Sequence, residues 1–244
     1  MKKWFTLTEG ATHVDMLPNN AKAGFTLAEV LITLGIIGIV AAMTIPALME
    51  NVRDVQFRSK FFKSYALIQQ TLKKMEADDI PLTATGYDRK GDPFYKKFAK
   101  YHSNITDCGD VLGSKHGQGC FVLGSENYIA LVGNSKVDKQ YFDDGQLIMP
   151  DGSIIFFEQP DNKDAHTWIW VDVNGKKLPN RLGHDLFCFQ LTDDGLKAMG
   201  TPGTSYDEDT YCNKTGGGNM NGIACASKVL KDPKYFKWVK QYGN

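Results

Sequence analysis

The run Gly24-Phe25-Thr26-Leu27-Ala28-Glu29-Val30-Leu31-Ile32-Thr33-Leu34-Gly35-Ile36-Ile37-Gly38-Ile39-Val40-Ala41-Ala42-Met43-Thr44-Ile45-Pro46-Ala47-Leu48-Met49 decides how the rest of the chain is read. No charge falls between Val30 and Met49. An apolar helix of about 20 residues is the length that crosses the hydrocarbon core of a bilayer. Two features separate this run from a plain anchor. Glu29 stands inside its entry, where an ionised group is costly and usually functional. Just before it, Ala21-Lys22-Ala23-Gly24 is small with one basic residue, so a cut after Gly24 would leave Phe25 as a new amino terminus. Gly35 and Gly38 offer faces for close approach of neighbouring helices, and Pro46 predicts a kink or local melting.

Upstream, Met1 to Ala23 is polar and has no apolar core of its own, unlike a secretory signal peptide. It holds a partial echo of the junction, Phe5-Thr6-Leu7-Thr8-Glu9. There Trp4 replaces the Gly and no apolar run follows, so the copy reads as a decoy. Gly24-Phe25-Thr26-Leu27-Ala28-Glu29 followed by an apolar helix resembles the processing site of type IV prepilins and type II secretion pseudopilins. The resemblance is strong from Gly24 to about Met75 and loose beyond. It implies cleavage between Gly24 and Phe25 by a membrane aspartic peptidase, methylation of the Phe25 amine, and packing of the helix into a filament core. Glu29 then becomes an assembly residue, its carboxylate available to the Phe25 amine of the same chain or of a neighbouring subunit.

Downstream of Met49 the pattern turns amphipathic. Val52, Val55, Phe62, Tyr65, Ile68, Leu72 and Met75 recur at three- and four-residue steps, with Arg53, Asp54, Lys60, Lys63, Lys73 and Lys74 on the other faces. The two halves read as one helix of about 80 Å, ended by Asp78-Asp79-Ile80-Pro81. A short helix is expected between Asp92 and His102. Strands are expected at Gln146–Met149, Ser153–Glu158, Thr167–Val173 and Asp185–Leu191, the first two joined by the turn Pro150-Asp151-Gly152. A further short helix is expected at Ala224–Leu230. The fold class is therefore α+β: a long N-terminal helix packed on an antiparallel β-sheet, pilin-like by resemblance. The expected organisation is a cleaved leader (1–24), a transmembrane or filament-core helix (25–49), the amphipathic half of the same helix (50–77) and a periplasmic or extracellular α+β domain (78–244).

All five cysteines lie beyond the apolar helix, where a periplasmic or extracellular location permits disulfides. Cys108 and Cys120 bracket a Gly-rich loop without the paired spacing of a zinc site. Cys212 and Cys225 bracket a Gly/Asn-rich loop that burial alone cannot hold, and that resembles the disulfide-bounded C-terminal loop of many pilins. Local pairing in that pattern leaves Cys188 as a buried thiol, although five cysteines admit other pairings. Asp172-Val173-Asn174-Gly175 resembles the opening of a calcium loop, with Asp185 at the far end of the same connection. The third acidic position and distal Glu of an EF-hand are lacking. Some pseudopilins bind calcium in a loop beside the sheet, which adds to that reading of Asp172, Asn174 and Asp185. An Asx-type turn joining two strands accounts for the same residues.

The chain carries no net charge, and loss of Lys2, Lys3 and Lys22 with Glu9 and Asp15 would leave a net of −1. Bulk charge therefore gives no reason to expect nucleic-acid binding. Neither a nucleophile elbow, nor a P-loop, nor HExxH, nor a dinucleotide fingerprint is present, so nothing in the motifs calls for an enzyme. The expected role is structural, as a subunit of a type II secretion pseudopilus or type IV pilus. Its implied partners are copies of itself and related subunits, the prepilin peptidase and the inner-membrane assembly machinery. The N-terminus would be cytoplasmic and the C-terminal domain periplasmic before assembly. The rivals are a membrane-anchored periplasmic binding or enzymatic domain and a DNA-uptake minor pilin.

Overall fold

The computed structural model describes residues 24–82, 91–110, 128–159, 166–216 and 218–242. Residues 1–23 of the expected leader with its internal decoy, and Cys120 with residues 111–119 of the loop it brackets, lie outside them. The chain divides into two compact units, Met1–Met49 and Glu50–Asn244. The amphipathic residues after Met49 thus belong with the sheet.

Helix α1, Leu27–Ala77, has 51 residues and carries Pro46 inside it, so the local melting expected there does not occur. Within the first unit the apolar side chains are not packed on any described residue: Phe25 is 88% exposed, Leu27 78% and Met43 75%. The span Leu27–Pro46 has the length and composition to cross a membrane. Its two threonines turn inward: the Thr33 hydroxyl donates to Val30 O (3.0 Å) and the Thr44 hydroxyl to Val40 O (2.9 Å). Apolar surroundings therefore meet no hydroxyl lacking a partner. At Gly35 and Gly38 an added Cβ would meet no atom within 4 Å, which leaves both positions open to another helix.

In the second unit α1 presents Phe61, Ile68, Leu72 and Met75, all buried. It stops where Ile80 N–H reaches back to Met75 O (2.9 Å) and Asp79 takes a left-handed φ of 55°, a common way of closing a helix C-terminus. α2 (Phe94–Ala99) follows. Six strands then form one antiparallel sheet in sequence order: β1 (Thr106–Gly109), β2 (Gln146–Ile148), β3 (Ile154–Glu158), β4 (Trp168–Asp172), β5 (Leu186–Thr192) and β6 (Gly195–Ala198). Short helices α3 (Glu208–Tyr211), α4 (Cys225–Lys231) and α5 (Tyr235–Val239) close the chain.

The four expected strands are all present; β1 and β6 are additions at the two edges. Both faces of the sheet are covered. On one, Phe61 of α1 packs edge-on against Phe187 (4.8 Å between ring centres), Tyr65 stacks on Phe189 (5.2 Å), and Phe98 of α2 meets Phe157 (5.3 Å). On the other, Trp170 meets Phe142 (4.9 Å), Tyr128 meets Phe156 (5.8 Å) and Trp168 meets Tyr206 (5.7 Å). Cys188 pairs across the ladder with Trp170 and is fully buried. This two-sided burial explains why β3 to β5 read as nearly unbroken apolar runs instead of alternating.

Candidate functional site

The junction between Gly24 and Phe25 precedes the first residue of α1 and is exposed. A Cβ added at Gly24 would meet nothing within 4 Å. Packing among the described residues therefore gives no reason for glycine there.

Directly after the junction, the entry to α1 is built as a reciprocal cap. The Thr26 backbone N–H and hydroxyl both donate to Glu29 Oε2 (2.8 Å each), and the Glu29 N–H donates to Thr26 Oγ1 (3.2 Å). This is the capping box of a Ser/Thr followed three residues on by Glu. Glu29 thus fixes where the apolar helix begins, and its carboxylate sits at the helix N-terminus, where backbone N–H groups favour negative charge. The Thr-x-x-Glu spacing marked Thr26 as part of the site, a role the sequence reading above leaves to Glu29 alone.

The structure brings Asp172, Asn174 and Asp185 together at one end of the β4–β5 pair. Asp172 Oδ1 accepts from Asn174 N–H (3.0 Å), closing an Asx turn, and its Oδ2 accepts from the Tyr128 hydroxyl (2.7 Å). Asp185 accepts from the N–H groups of Asn180 (2.8 Å) and Arg181 (2.7 Å), and Asn174's side chain reaches it as well. Both carboxyls are completely buried. Burial, and then repulsion from Asp185, push Asp172 well above the usual carboxylate range. Burial raises Asp185 to about 6 against the pull of its backbone donors. Nearby, burial followed by the Arg181 and Arg53 charges holds His184 down at about 3, so its imidazole is neutral. Arg181 sends its guanidinium to the carbonyls of Ala130 (2.8 Å) and Gly133 (2.7 Å). Asn174 Oδ1 is buried without a hydrogen-bond donor. Two buried carboxylates and an unengaged amide oxygen are hard donors of the kind calcium takes.

A second acidic group was not legible in the sequence: Asp143 and Asp144 converge with Glu158, at the end of β3, within 4.8 Å. Adjacent acids just before a strand were the only hint. Of the cysteines, Cys212 and Cys225 are joined, with Cα atoms 5.0 Å apart, and Cys188 is free. Cys108 is also disulfide-bonded.

The model of the prokaryotic N-terminal methylation motif matches residues 19–45. No curated protein and no solved structure matches the chain. The matched segment holds the exposed Gly24–Phe25 junction, the Thr26–Glu29 cap and most of the unpacked apolar helix in one register. The chain therefore carries the prepilin-type N-terminal methylation motif that marks proteins of the type IV pilin and pseudopilin family.

Proposed function

We propose that the chain is a structural subunit of a type IV pilus or type II secretion pseudopilus, held in the inner membrane by its apolar helix until it is cut after Gly24 and assembled through that helix. The observation that carries this reading is a capped, membrane-length helix with its apolar side chains unpacked, directly behind an accessible junction inside a methylation motif. A plain capped anchor would account for the hydrophobicity and for Glu29 as the partner of Thr26, but not for the Gly24–Phe25 junction in register with the methylation motif. Cleavage supplies a further partner: the Phe25 amine, with a reference pKa near ~8, is largely protonated at neutral pH. In the uncut chain the Thr26 donors hold the Glu29 carboxylate; after cleavage an incoming subunit offers that carboxylate to the amine of a neighbour, setting the axial register. Glu29→Leu tests this. Insertion and processing should persist while filament incorporation is lost; normal incorporation of processed Glu29→Leu protein would contradict the pairing.

A second reading concerns Asp172, Asn174 and Asp185. The buried Asn174 Oδ1 without a donor favours a calcium ion held by these three. The ion would supply positive charge to two buried carboxylates and so brace the β4–β5 connection.

A further inference from the structure

Arg53, Phe57 and Lys60 on α1 face Asn174, Lys177 and Leu178 of the β4–β5 connection across an open cleft of about 250 Å³. Among the described residues no carboxylate lines it. The acid beside Arg53, Asp54, is engaged by Lys240 at 2.7 Å, and Arg58 donates to the carbonyls of Asp232 (3.1 Å) and Val229 (3.4 Å). Arg53, Lys60 and Lys177 have no ion-pair partner among the described residues. One apolar tip stands among these cations: Leu178 is 78% exposed, directly after two lysines.

This projection is held in place by its own loop. The Asn174 side-chain amide donates to Lys177 O (3.0 Å) and Leu178 O (3.2 Å). Gly175 has a φ of +66°, and a Cβ there would collide with Gly152 O, so the loop lies tight on the β2–β3 turn. Leu178 is therefore presented on a fixed base, which lowers the ordering cost of binding.

Cations with no ion-pair partner among the described residues, Arg53 stacked on the Phe57 ring (5.2 Å), stand around one exposed leucine and match the outer layer of an anionic bilayer. Phosphates take the Lys and Arg heads, and the apolar tip enters the interface. Covalent connection supplies the location. Arg53 follows Pro46, the last residue of the span, by seven positions, so even a fully extended chain keeps it within about 25 Å of the span's end. We propose that Arg53, Lys60, Lys177 and Leu178 form a docking face for the anionic phospholipid headgroups of the membrane that holds the Leu27–Pro46 span. The inference rests on the reading of that helix as membrane-held before assembly. Docking would hold the sheet domain on the lipid surface until extraction, and incorporation into a filament would have to release it.

The test uses the full chain, one copy per lipid nanodisc, in phosphatidylcholine with or without phosphatidylglycerol. Amide exchange between residues 174 and 180 is followed, with β5 as the internal control for folding. The anionic lipid should slow exchange in that loop by about fivefold per basic side chain engaged, with β5 unchanged. Substituting Arg53→Gln, Lys60→Gln and Lys177→Gln together should restore the phosphatidylcholine rate, and Leu178→Ser should restore part of it. Equal rates in the two lipids, or slowing that survives the triple substitution, would overturn the proposal. So would slowing that needs two copies per disc, which would assign the face to a subunit contact. A chain that inserts but shows no slowing refutes only the docking face; a chain retained by neither disc refutes the membrane-held state as well.

Discussion

The two halves of α1 are built from similar apolar residues and meet opposite fates. From Leu27 to Met49 every described large apolar side chain is exposed; further along, Phe61, Ile68, Leu72 and Met75 are buried against the sheet and its neighbours. The difference lies in the spacing of charge. Past Met49, Arg53, Asp54, Lys60 and Lys63 restrict the apolar residues to a stripe, and a stripe can be satisfied by one packed face. Before it, apolar side chains surround the helix, and such a helix must be buried on all sides by lipid or by other helices. The same secondary structure thus serves an internal contact in one half and an external one in the other.

The sharpest way to break this comparison is to truncate one side chain in each half. Phe61→Ala should destabilise the sheet domain by about 3–5 kcal/mol, the range for large aromatic truncations in a packed core, while leaving membrane insertion unchanged. Ile37→Ala should shift the melting transition by less than about 0.5 kcal/mol and act only where the helix meets lipid or a neighbour. Comparable melting shifts in the two variants would mean that the first half packs within the chain.

Reducing the Cys212–Cys225 bond is the next largest perturbation. With the cysteines 13 residues apart, chain entropy puts the loss at about 3 kcal/mol, confined to the second half's domain. Because reductant would also open the bond of Cys108, denaturant unfolding of the Cys212→Ser, Cys225→Ser double variant against the parent chain measures it, and the thiol of Cys188 serves as a probe of core opening, since it is fully buried.

The smallest effects concern the buried acids, where two groups pull in opposite directions. Asp185, raised to about 6, adds stability that is complete below its unfolded value of about 3.9 and is lost as pH rises through 6. His184, held near 3, adds stability that is complete above its unfolded value of about 6.5 and is lost as pH falls through 3. Between about pH 4 and 6 the two slopes oppose each other. His184→Gln should therefore melt at lower temperature as pH rises across that window, and the Asp172→Asn, Asp185→Asn double variant, which leaves only the His184 slope, at higher temperature. If calcium occupies the pair, it should raise the melting temperature at pH 7 more than at pH 5, and Asp172→Asn should abolish the gain.

The legible parts of this fold were those set by long periodic or apolar runs. The helix, its Asp78–Ile80 stop and strands β2 to β5 all follow from such runs. The edge strands β1 (Thr106–Gly109) and β6 (Gly195–Ala198) escaped because each has four residues and partly exposed positions, too short for an alternation to register. The layer over Trp168 and Trp170 was implicit in the unbroken apolar strands but not assignable, since the residues that cover it come from Tyr128, Phe142 and Tyr206. At the candidate site, Gly24, Phe25 and Glu29 were readable because their spacing is local. The meeting of Lys177 with Arg53, and of Glu158 with Asp143, was not, because only the folded sheet domain brings those positions together.

The central claim is that the first half of α1 becomes an assembly element when the chain is cut at Gly24. Intact-mass and N-terminal peptide analysis of the protein purified from cells that express a prepilin peptidase tests it most directly. The account predicts a mature chain that begins at Phe25 and carries one methyl group on its amine. A chain that keeps Gly24 joined to Phe25 under those conditions, while folded and membrane-held, would contradict it.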